Sequence, residues 1–378
     1  MPSAVRHVFP GGNTALGFHS FYDHIAGPEI TRVFVIKGGP GVGKSTFMRA
    51  VAEELVAHGI PVELHHCSAD NHSLDGVVAP SLGVALIDGT APHVIDPRYP
   101  GAIDTIIHLG DCWDEAAMRR EREAIVAATR EVGRLYRGAY TYLAAAKLCH
   151  DRWETLYRDA GAVDYAGLNR LAEAIGRELF AGRPSLARQA RERHLFASAI
   201  TPDGLRHHFA SLFAPLARRV VLTGPPGTGK TTFVRRLADL AVFRGYDVEV
   251  FHDALDPSRI DHVIIPDLGA AVLNGAEPHP YPAQPGDRLL DTSRFVNETK
   301  LVPFQGELET ARAFYDETFT TAVDHLHRAK EVHDELERHY VPHMDFEAVA
   351  RKRQEVMDRI LNEAGKATAA GHPEARAQ

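Results

Sequence analysis

The chain has 378 residues, of which 44% are hydrophobic and 24% are charged, a composition typical of globular proteins. This length is enough for two or three domains, each with its own hydrophobic core. The formal net charge of −8 argues against a protein that binds nucleic acids or anionic membranes through a general basic surface.

The first predicted elements alternate between strand and helix. The segments "RVFVIKG" (32–38), "IPVELHHCSAD" (60–70) and "LGVALIDG" (82–89) contain apolar runs that predict buried strands. Between the first two, "STFMRAVAEELVAHG" (45–59) has apolar residues at helical spacing and ends at a glycine. A strand, a helix and a strand in this order predict parallel pairing in an α/β sheet.

Long helical patterns follow after Asp111, and the whole order then recurs. The segment "GGPGVGKSTF" (38–47) matches "GPPGTGKTTF" (224–233), and the alignment continues without a gap until His93 meets His279. The sequence therefore consists of two tandem repeats of one unit.

Both copies contain the spacing Gly-x-x-x-x-Gly-Lys-Ser/Thr, which is typical of a P-loop. Its glycines let backbone N–H groups turn toward phosphate oxygens, and the helix that follows presents its positive end to the same anion. Lys44 and Lys230 would contact the β- and γ-phosphates of ATP, and Ser45 and Thr231 would coordinate Mg²⁺. The candidate nucleotide-binding residues are Gly38, Gly39, Pro40, Gly41, Val42, Gly43, Lys44, Ser45 and Thr46, with Gly224, Pro225, Pro226, Gly227, Thr228, Gly229, Lys230, Thr231 and Thr232.

The predicted fold class is α/β, with two tandem P-loop NTPase domains at residues 1–191 and 192–378. Each domain would contain a parallel sheet flanked by helices. A helical hairpin would follow each sheet, at about 114–181 in the first domain and about 298–363 in the second.

The two copies differ at the position expected to hold Mg²⁺. In P-loop proteins an aspartate at the end of a nearby apolar strand binds this ion, and Asp88 fits that role in "VALIDG". The matching "AAVLNG" has Asn274, whose neutral amide lacks the charge. We favour a second site that turns nucleotide over poorly. The alternative is that Asp253 or Asp267 replaces the missing ligand.

The motifs also narrow the kind of P-loop protein. In both copies a glycine follows the strand-end residue where motor ATPases usually have a glutamate, and no Asn-Lys-x-Asp guanine motif occurs. The remaining pattern is kinase-like, with an acid just past the second strand that takes a proton from an acceptor hydroxyl. Asp70 and Asp256 hold that position, and Asp75 and Asp261 follow five residues later. Alternatively, these aspartates cap the next helix.

The helical runs carry a second repeated pattern, spaced to lie along one helical face. Its members are Lys147, His150, Asp151, Glu154 and Tyr157 in the first copy and Lys330, His333, Asp334, Glu337 and Tyr340 in the second. One interpretation is a lid or substrate wall, with the lysine near phosphate and the histidine near the acceptor. The other is a solvated face stabilised by Lys–Asp pairs.

Two further histidine pairs match between the copies. They are His66 with His252, at the end of the second strand, and His93 with His279. With Asp70 they could bind a metal ion, but no close His-x-His pattern supports a ligand set. We therefore favour core or turn histidines.

Several longer sequence segments resemble those of a known protein family. The two glycine-rich loops, "CSADNHSLDG" (67–76), "LIDGTAPH" (86–93) and "DPRYPGAIDTIIHLGDCWD" (96–114) resemble a family of bacterial tandem P-loop proteins described as ATPases or nucleotide-kinase-like. The resemblance covers nearly the whole chain. It implies ATP binding and phosphotransfer or hydrolysis, and it implies no particular substrate. The second copy departs from the pattern with "NGAEPH", which leaves its handling of Mg²⁺ open.

We expect an enzyme that binds ATP and Mg²⁺ and either transfers a phosphoryl group to a small-molecule acceptor or hydrolyses ATP, mainly in the first domain. An ATP-dependent conformational switch with little turnover is the alternative, and a nucleic-acid motor is disfavoured by the acidic balance. The sequence shows no secretory signal or membrane span, and its three cysteines suit a reducing cytoplasm. The candidate catalytic residues are Lys44, Asp70, Asp88, Lys147, Lys230, Asp256 and Lys330, and the candidate metal ligands are Ser45, Asp88 and Thr231.

Overall fold

The computed structural model describes residues 5–90, 94–276 and 281–370, and these residues form two compact units. Unit 1 comprises residues 5–10, 22–90, 94–133 and 329–370. Unit 2 comprises residues 11–21, 134–276 and 281–328.

In the described residues, both repeats contain eight strands, with one helix of 14 residues after the fourth strand and long helices after the eighth. The strands are β1 Val5–Val8, β2 Gly11–Thr14, β3 Gly17–Ser20, β4 Arg32–Lys37, β5 Val62–His66, β6 Leu74–Ala79, β7 Val84–Asp88, β8 Asp104–His108, β9 Glu192–Leu195, β10 Ser198–Thr201, β11 Gly204–His207, β12 Arg218–Thr223, β13 Val248–His252, β14 Ile260–Ile265, β15 Ala270–Asn274 and β16 Arg288–Asp291. The α-helices are α1 Lys44–Ala57, α2 Glu115–Arg120, α3 Arg122–Asp159, α4 Tyr165–Leu179, α5 Phe209–Phe213, α6 Lys230–Phe243, α7 Gln305–Arg338 and α8 Phe346–Ala370. Short 3-10 helices are Tyr22–His24, Pro80–Leu82, Leu109–Cys112, Pro266–Leu268, Thr292–Phe295, Glu298–Phe304 and Val341–His343.

The described strands of each unit form a main sheet of six with the same order. It is β1-β5-β6-β7-β4-β8 in unit 1 and β9-β13-β14-β15-β12-β16 in unit 2. Neighbouring strands are parallel except at β6 and β14, which run antiparallel to both of their neighbours. The α/β class is confirmed, but the sheets are mixed, so the prediction of parallel sheets was wrong at these strands.

The sequence analysis did not predict the antiparallel strands β6 and β14, because polar residues interrupt their apolar pattern. Strand β6 reads "LDGVVA" and contains Asp75 and Gly76 in its interior, although all six residues are buried. A short turn over residues 67–73, with no helix, joins it to β5. A strand that follows its neighbour through a tight turn must pair antiparallel to it.

Each sheet is covered by helices that bury a hydrophobic face. In unit 1, Val51 and Leu55 of α1 share a buried cluster with Phe34 of β4 and with Val356 and Ile360 of α8. Burying such a side chain stabilises the fold by about 1.5–3 kcal/mol. None of the described helices is long and apolar enough to cross a membrane.

Unit 2 has the equivalent core. Leu237 of α6 and Val220 of β12 share a buried cluster with Ala172, Ile175 and Leu179 of α4. The helix that packs beside α6 therefore comes from the first sequence repeat, just as α8 of unit 1 comes from the second.

The compact units thus do not coincide with the predicted domains 1–191 and 192–378. Residues 134–191 belong to unit 2, and residues 329–370 belong to unit 1. The unit limits fall inside the long helices α3 and α7. Each helical hairpin was expected to stay with its own repeat, but the amphipathic faces of α4 and α8 are buried in the unit that contains the other repeat's glycine-rich loop.

Candidate functional site

The first glycine-rich loop, residues 38–45, joins β4 to α1 in unit 1. Gly43 has φ 89°, a left-handed conformation that strongly favours glycine, and it precedes α1 with no side-chain cap on the helix. The Lys44 ammonium folds back and donates to the carbonyl oxygens of Gly38 at 3.2 Å and Gly39 at 2.8 Å. The backbone therefore curls around the lysine at the positive end of a helix.

Two buried carboxylates lie beside this lysine. Asp88, the last residue of β7, places Oδ2 3.7 Å from Lys44 Nζ. Burial raises the pKa of the Asp88 carboxyl, and Lys44 opposes that shift while Asp75 adds to it. Burial also raises the pKa of Asp75, on β6, to about 6. Two buried carboxylates therefore lie close to the single ammonium group of Lys44.

The Ser45 hydroxyl contacts the first residue of β6, the strand that carries Asp75. Its Oγ accepts the backbone N–H of Leu74 at 3.0 Å, which ties the start of α1 to the start of β6. Asp88 is oriented by the backbone N–H of Thr90, which donates to Oδ1 at 2.8 Å. Ser45 is therefore tied to β6 and Asp88 ends β7, the strand that pairs with β6.

The outer side of the first loop is covered by residues from the end of α7. Glu337 Oε1 accepts the backbone N–H of Gly41 at 3.2 Å. A Cβ on Gly39 would come within 2.8 Å of the Tyr340 ring. A side-chain carboxylate thus occupies one of the loop amides that the P-loop interpretation assigns to phosphate.

The second glycine-rich loop, residues 224–231, has the same form in unit 2. Lys230 donates to the carbonyl oxygens of Gly224 at 2.9 Å and Pro225 at 2.6 Å. Burial lowers the pKa of Lys230 to about 8, although Glu154 and Asp261 partly oppose the shift. This ammonium is therefore short of compensating negative charge.

A cavity of about 430 Å³ opens beside the second loop. Its walls include the loop, residues 150–158 of α3, Arg259, Asp261 and Asn274. Burial lowers the pKa of His150 in this wall. The cavity is large enough to enclose a small ligand such as a nucleotide phosphate group.

Arg259 is the main feature of the cavity that the sequence analysis did not find. Its two terminal nitrogens donate to the Glu154 carboxylate at 2.8 and 2.6 Å, and Nη2 also donates to Thr231 Oγ1 at 3.3 Å. Burial would raise the pKa of Glu154, but the hydrogen bonds from Arg259 outweigh it and hold this pKa below its usual range. The available signal was a difference between the repeats, because Arg259 aligns with Ser73.

Asn274 ends β15 at the position of Asp88. Its Nδ2 donates to Asp261 Oδ1 at 2.9 Å, so the amide holds the neighbouring carboxylate. Of the two proposed substitutes, Asp253 lines the cavity and accepts the N–H groups of the turn that follows it. Asp267 pairs instead with Arg188 at 2.8 Å and is not part of the cavity wall, so its assignment as a replacement ligand was wrong.

Asp70 and Asp256 occupy matching turns. Asp70 accepts the Ser73 hydroxyl at 2.9 Å, and Asp256 accepts the Ser258 hydroxyl at 2.6 Å. The alternative that they cap a following helix was wrong, since the next element is strand β6 or β14. Both carboxylates fix a tight turn, as aspartate commonly does.

We call the repeated helical patterns that begin at Lys147 and Lys330 the helical stripes. The lysines of these stripes lie against the turn aspartates Asp256 and Asp70. Lys147 pairs with Asp151 at 2.5 Å and with Asp256 at 3.1 Å. Lys330 pairs with Asp334 and lies 3.7 Å from Asp70. Each stripe therefore meets the turn of the other repeat, and these partly exposed ion pairs are each worth about 0–1 kcal/mol.

The strand-end histidines pair with other histidines. His66 Nε2 lies 2.8 Å from His7 Nδ1, and His252 Nε2 lies 2.9 Å from His194 Nδ1. Burial lowers the pKa of His252 to about 4, so its ring is neutral. These contacts favour core histidines. His93 and His279 lie outside the described residues.

Comparisons of the chain with models of protein families, with curated proteins and with solved structures found no match.

Proposed function

We propose that the first loop is a P-loop that binds ATP with Mg²⁺ and that unit 1 turns this nucleotide over. The observation that carries the proposal is the Lys44–Asp88 contact at the head of α1. A lysine curled into a glycine-rich loop, a helix start without a side-chain cap and a strand-end carboxylate are the groups that phosphoryl transfer requires. The second loop repeats the lysine and the helix start without the strand-end carboxylate.

Mg²⁺ would be held by the Ser45 hydroxyl and the Asp88 carboxylate, with Asp75 as a further acidic neighbour. Hard oxygen donors of this kind suit Mg²⁺. The ion would neutralise charge on the phosphates. Lys44 would leave its contacts with the loop carbonyls and bind phosphate oxygens.

Transfer to a small-molecule hydroxyl is the reaction we favour over hydrolysis. The acceptor oxygen would form the new bond to the γ-phosphorus, the bond from that phosphorus to the β–γ bridging oxygen would break, and ADP would leave. Asp70 would receive the acceptor proton, and Lys330, 3.7 Å away, would position its carboxylate. If water is the acceptor, the same steps give phosphate.

The test is ATP turnover by the full chain and by two matched variants. Lys44→Ala should lower the rate about 30-fold or more, the effect of losing one preorganised electrostatic donor, about 2–3 kcal/mol. Lys230→Ala should keep most of the rate. A folded Lys44→Ala protein with the wild-type rate would contradict the proposal, and a rate stimulated by a candidate acceptor would separate transfer from hydrolysis.

A nucleotide-dependent switch is the second candidate. It is favoured by the Glu337 carboxylate on the Gly41 amide, because nucleotide must displace this contact before it can bind. A switch would bind ATP tightly with barely measurable turnover and no acceptor stimulation. Either function suits the cytoplasm, where ATP and Mg²⁺ are available and where the free thiols Cys67, Cys112 and Cys149 stay reduced.

A further inference from the structure

The cavity beside the second loop contains a cation, Arg259, where the first repeat has the neutral side chain of Ser73. Arg259 and Ser73 occupy the same backbone position, since each carbonyl accepts the N–H of the residue that begins the turn, Asp253 at 3.1 Å and Cys67 at 3.1 Å. The Ser73 hydroxyl donates to Asp70 within its turn. The Arg259 guanidinium instead lines the cavity beside the second loop.

The same cavity is poorly suited to a divalent metal. Asn274 supplies an amide where Asp88 supplies a carboxylate, and one of the Asp261 oxygens already accepts that amide. The Thr231 hydroxyl, the expected metal ligand, accepts from the Arg259 guanidinium at 3.3 Å. A cation placed on this oxygen repels a second cation.

Two further acidic groups of the cavity wall, Asp151 and Glu154, are already paired with cations. His150, Asp151 and Glu154 are close enough together to hold an ion. However, Lys147 donates to Asp151 at 2.5 Å, and Arg259 engages both oxygens of Glu154. A metal would have to displace both ion pairs.

We propose that the second loop binds the polyphosphate of a nucleotide without a divalent metal, with Arg259 and Lys230 supplying the positive charge. This inference rests on the proposed function of the loops. Guanidinium binds phosphate oxygens in the same bidentate manner in which it binds a carboxylate. Arg259 exchanges the Glu154 carboxylate for phosphate when the anion enters the cavity.

The test measures ATP binding by calorimetry at each loop separately, with Mg²⁺ and with EDTA. The Lys44→Ala protein reports the second loop, and the Lys230→Ala protein reports the first. We expect the second loop to keep its affinity in EDTA within a few-fold, while the first loop loses most of its affinity. Inorganic triphosphate in EDTA should compete for the second loop, because the phosphates carry the recognition.

The arginine is tested in the Lys44→Ala protein by Arg259→Ser, which copies the first repeat. Loss of one bidentate charged contact should weaken ATP binding in EDTA about 10- to 100-fold. Arg259→Lys should fall between the two, since it keeps the charge and loses the fork. Unchanged binding in a folded Arg259→Ser protein would overturn the inference.

Asn274→Asp gives a second test that does not depend on removing the arginine. In the Lys44→Ala protein it should make ATP binding depend on Mg²⁺. If the second loop already requires Mg²⁺ as strongly as the first, this inference fails and the proposed function of the first loop stands. If the full chain binds no ATP in either condition, the proposed function fails as well.

Discussion

Asp75 is one of the two buried acids beside Lys44, and replacing it by asparagine should stabilise unit 1 and weaken the ATP binding proposed for the first loop. Burial raises the pKa of Asp75 from 3.8 to about 6, against hydrogen bonds from Tyr22 and Cys67 and the charge of Lys44, which lower it. Its ionised form therefore costs the folded state free energy at neutral pH. Asp75→Asn removes that cost.

The magnitude follows from the shift. One pKa unit corresponds to about 1.4 kcal/mol, so the full shift is worth about 3 kcal/mol. Because the new amide N–H groups also need partners, we expect a net gain of about 1–3 kcal/mol at pH 7.5. The folded-state pKa lies above the unfolded value, so the stabilisation from the protonated acid is complete below pH 3.8 and is lost as the pH rises through 6. The advantage of Asp75→Asn should therefore vanish near pH 4.

Urea unfolding followed by tryptophan fluorescence measures this difference. The chain has two tryptophans, and Trp113 lies in unit 1 whereas Trp153 lies in unit 2. A Trp153→Phe background makes Trp113 the only reporter. Asp261→Asn, the matching change in unit 2, is the control and should leave the Trp113 transition in place.

The reasoning would be refuted if Asp75→Asn and its parent differed in stability by the same amount at pH 4.5 and at pH 7.5. The Asp75 carboxyl would then not titrate near pH 6. The same variant should bind ATP less tightly at the first loop in the presence of Mg²⁺, since it removes an acidic neighbour of the ion. A gain in stability with a loss in binding is the signature of a functional residue that the fold tolerates at a cost.

Three further changes test the loops and the helical stripe. Gly227→Ala should destabilise unit 2 by about 1–3 kcal/mol in unfolding followed by tryptophan fluorescence, because its φ is 81° and a Cβ would lie 2.9 Å from a backbone oxygen of α3. As the control, Gly182→Ala should lower the stability less, because Gly182 has a φ of 68° but open space around its Cβ position. Glu337→Gln, measured by calorimetry in the Lys230→Ala protein, should strengthen ATP binding several-fold, since a carboxylate no longer competes for the loop amide; weaker binding would exclude that competition. Lys330→Ala should lower turnover with little change in melting temperature, and a wild-type rate would favour the solvated-face interpretation.

Much of each sheet could be predicted from local pattern. The strands β4, β5 and β7 and the helix α1 lie where apolar runs and glycine stops placed them. Such elements can be recognised from a few residues of sequence, because the hydrophobic periods of strands and helices differ. Strand β6 did not, since Asp75 and Gly76 interrupt its apolar run, and the sheets were therefore expected to be parallel throughout.

The partners of the helices could not be predicted in this way. Glu154 meets Arg259 across 105 residues of sequence, and Glu337 meets Gly41 across 296. An amphipathic face shows that a helix is buried, but its periodicity does not say which sheet buries it. The repeat grouped each hairpin with the sheet that precedes it, whereas α4 packs with α6 and α8 packs with α1.

Two of the substitutions in the second site make it more positive. Exchanging Asp88 for Asn274 removes one negative charge, and exchanging Ser73 for Arg259 adds one positive charge. The Asp253 carboxylate of the same cavity wall, which aligns with Cys67, offsets one of these two charges, so the net formal gain is one positive charge. Both changes lie beside a loop whose lysine and helix start are retained, and this supports the proposal that the second loop binds nucleotide with Arg259 in place of a metal ion.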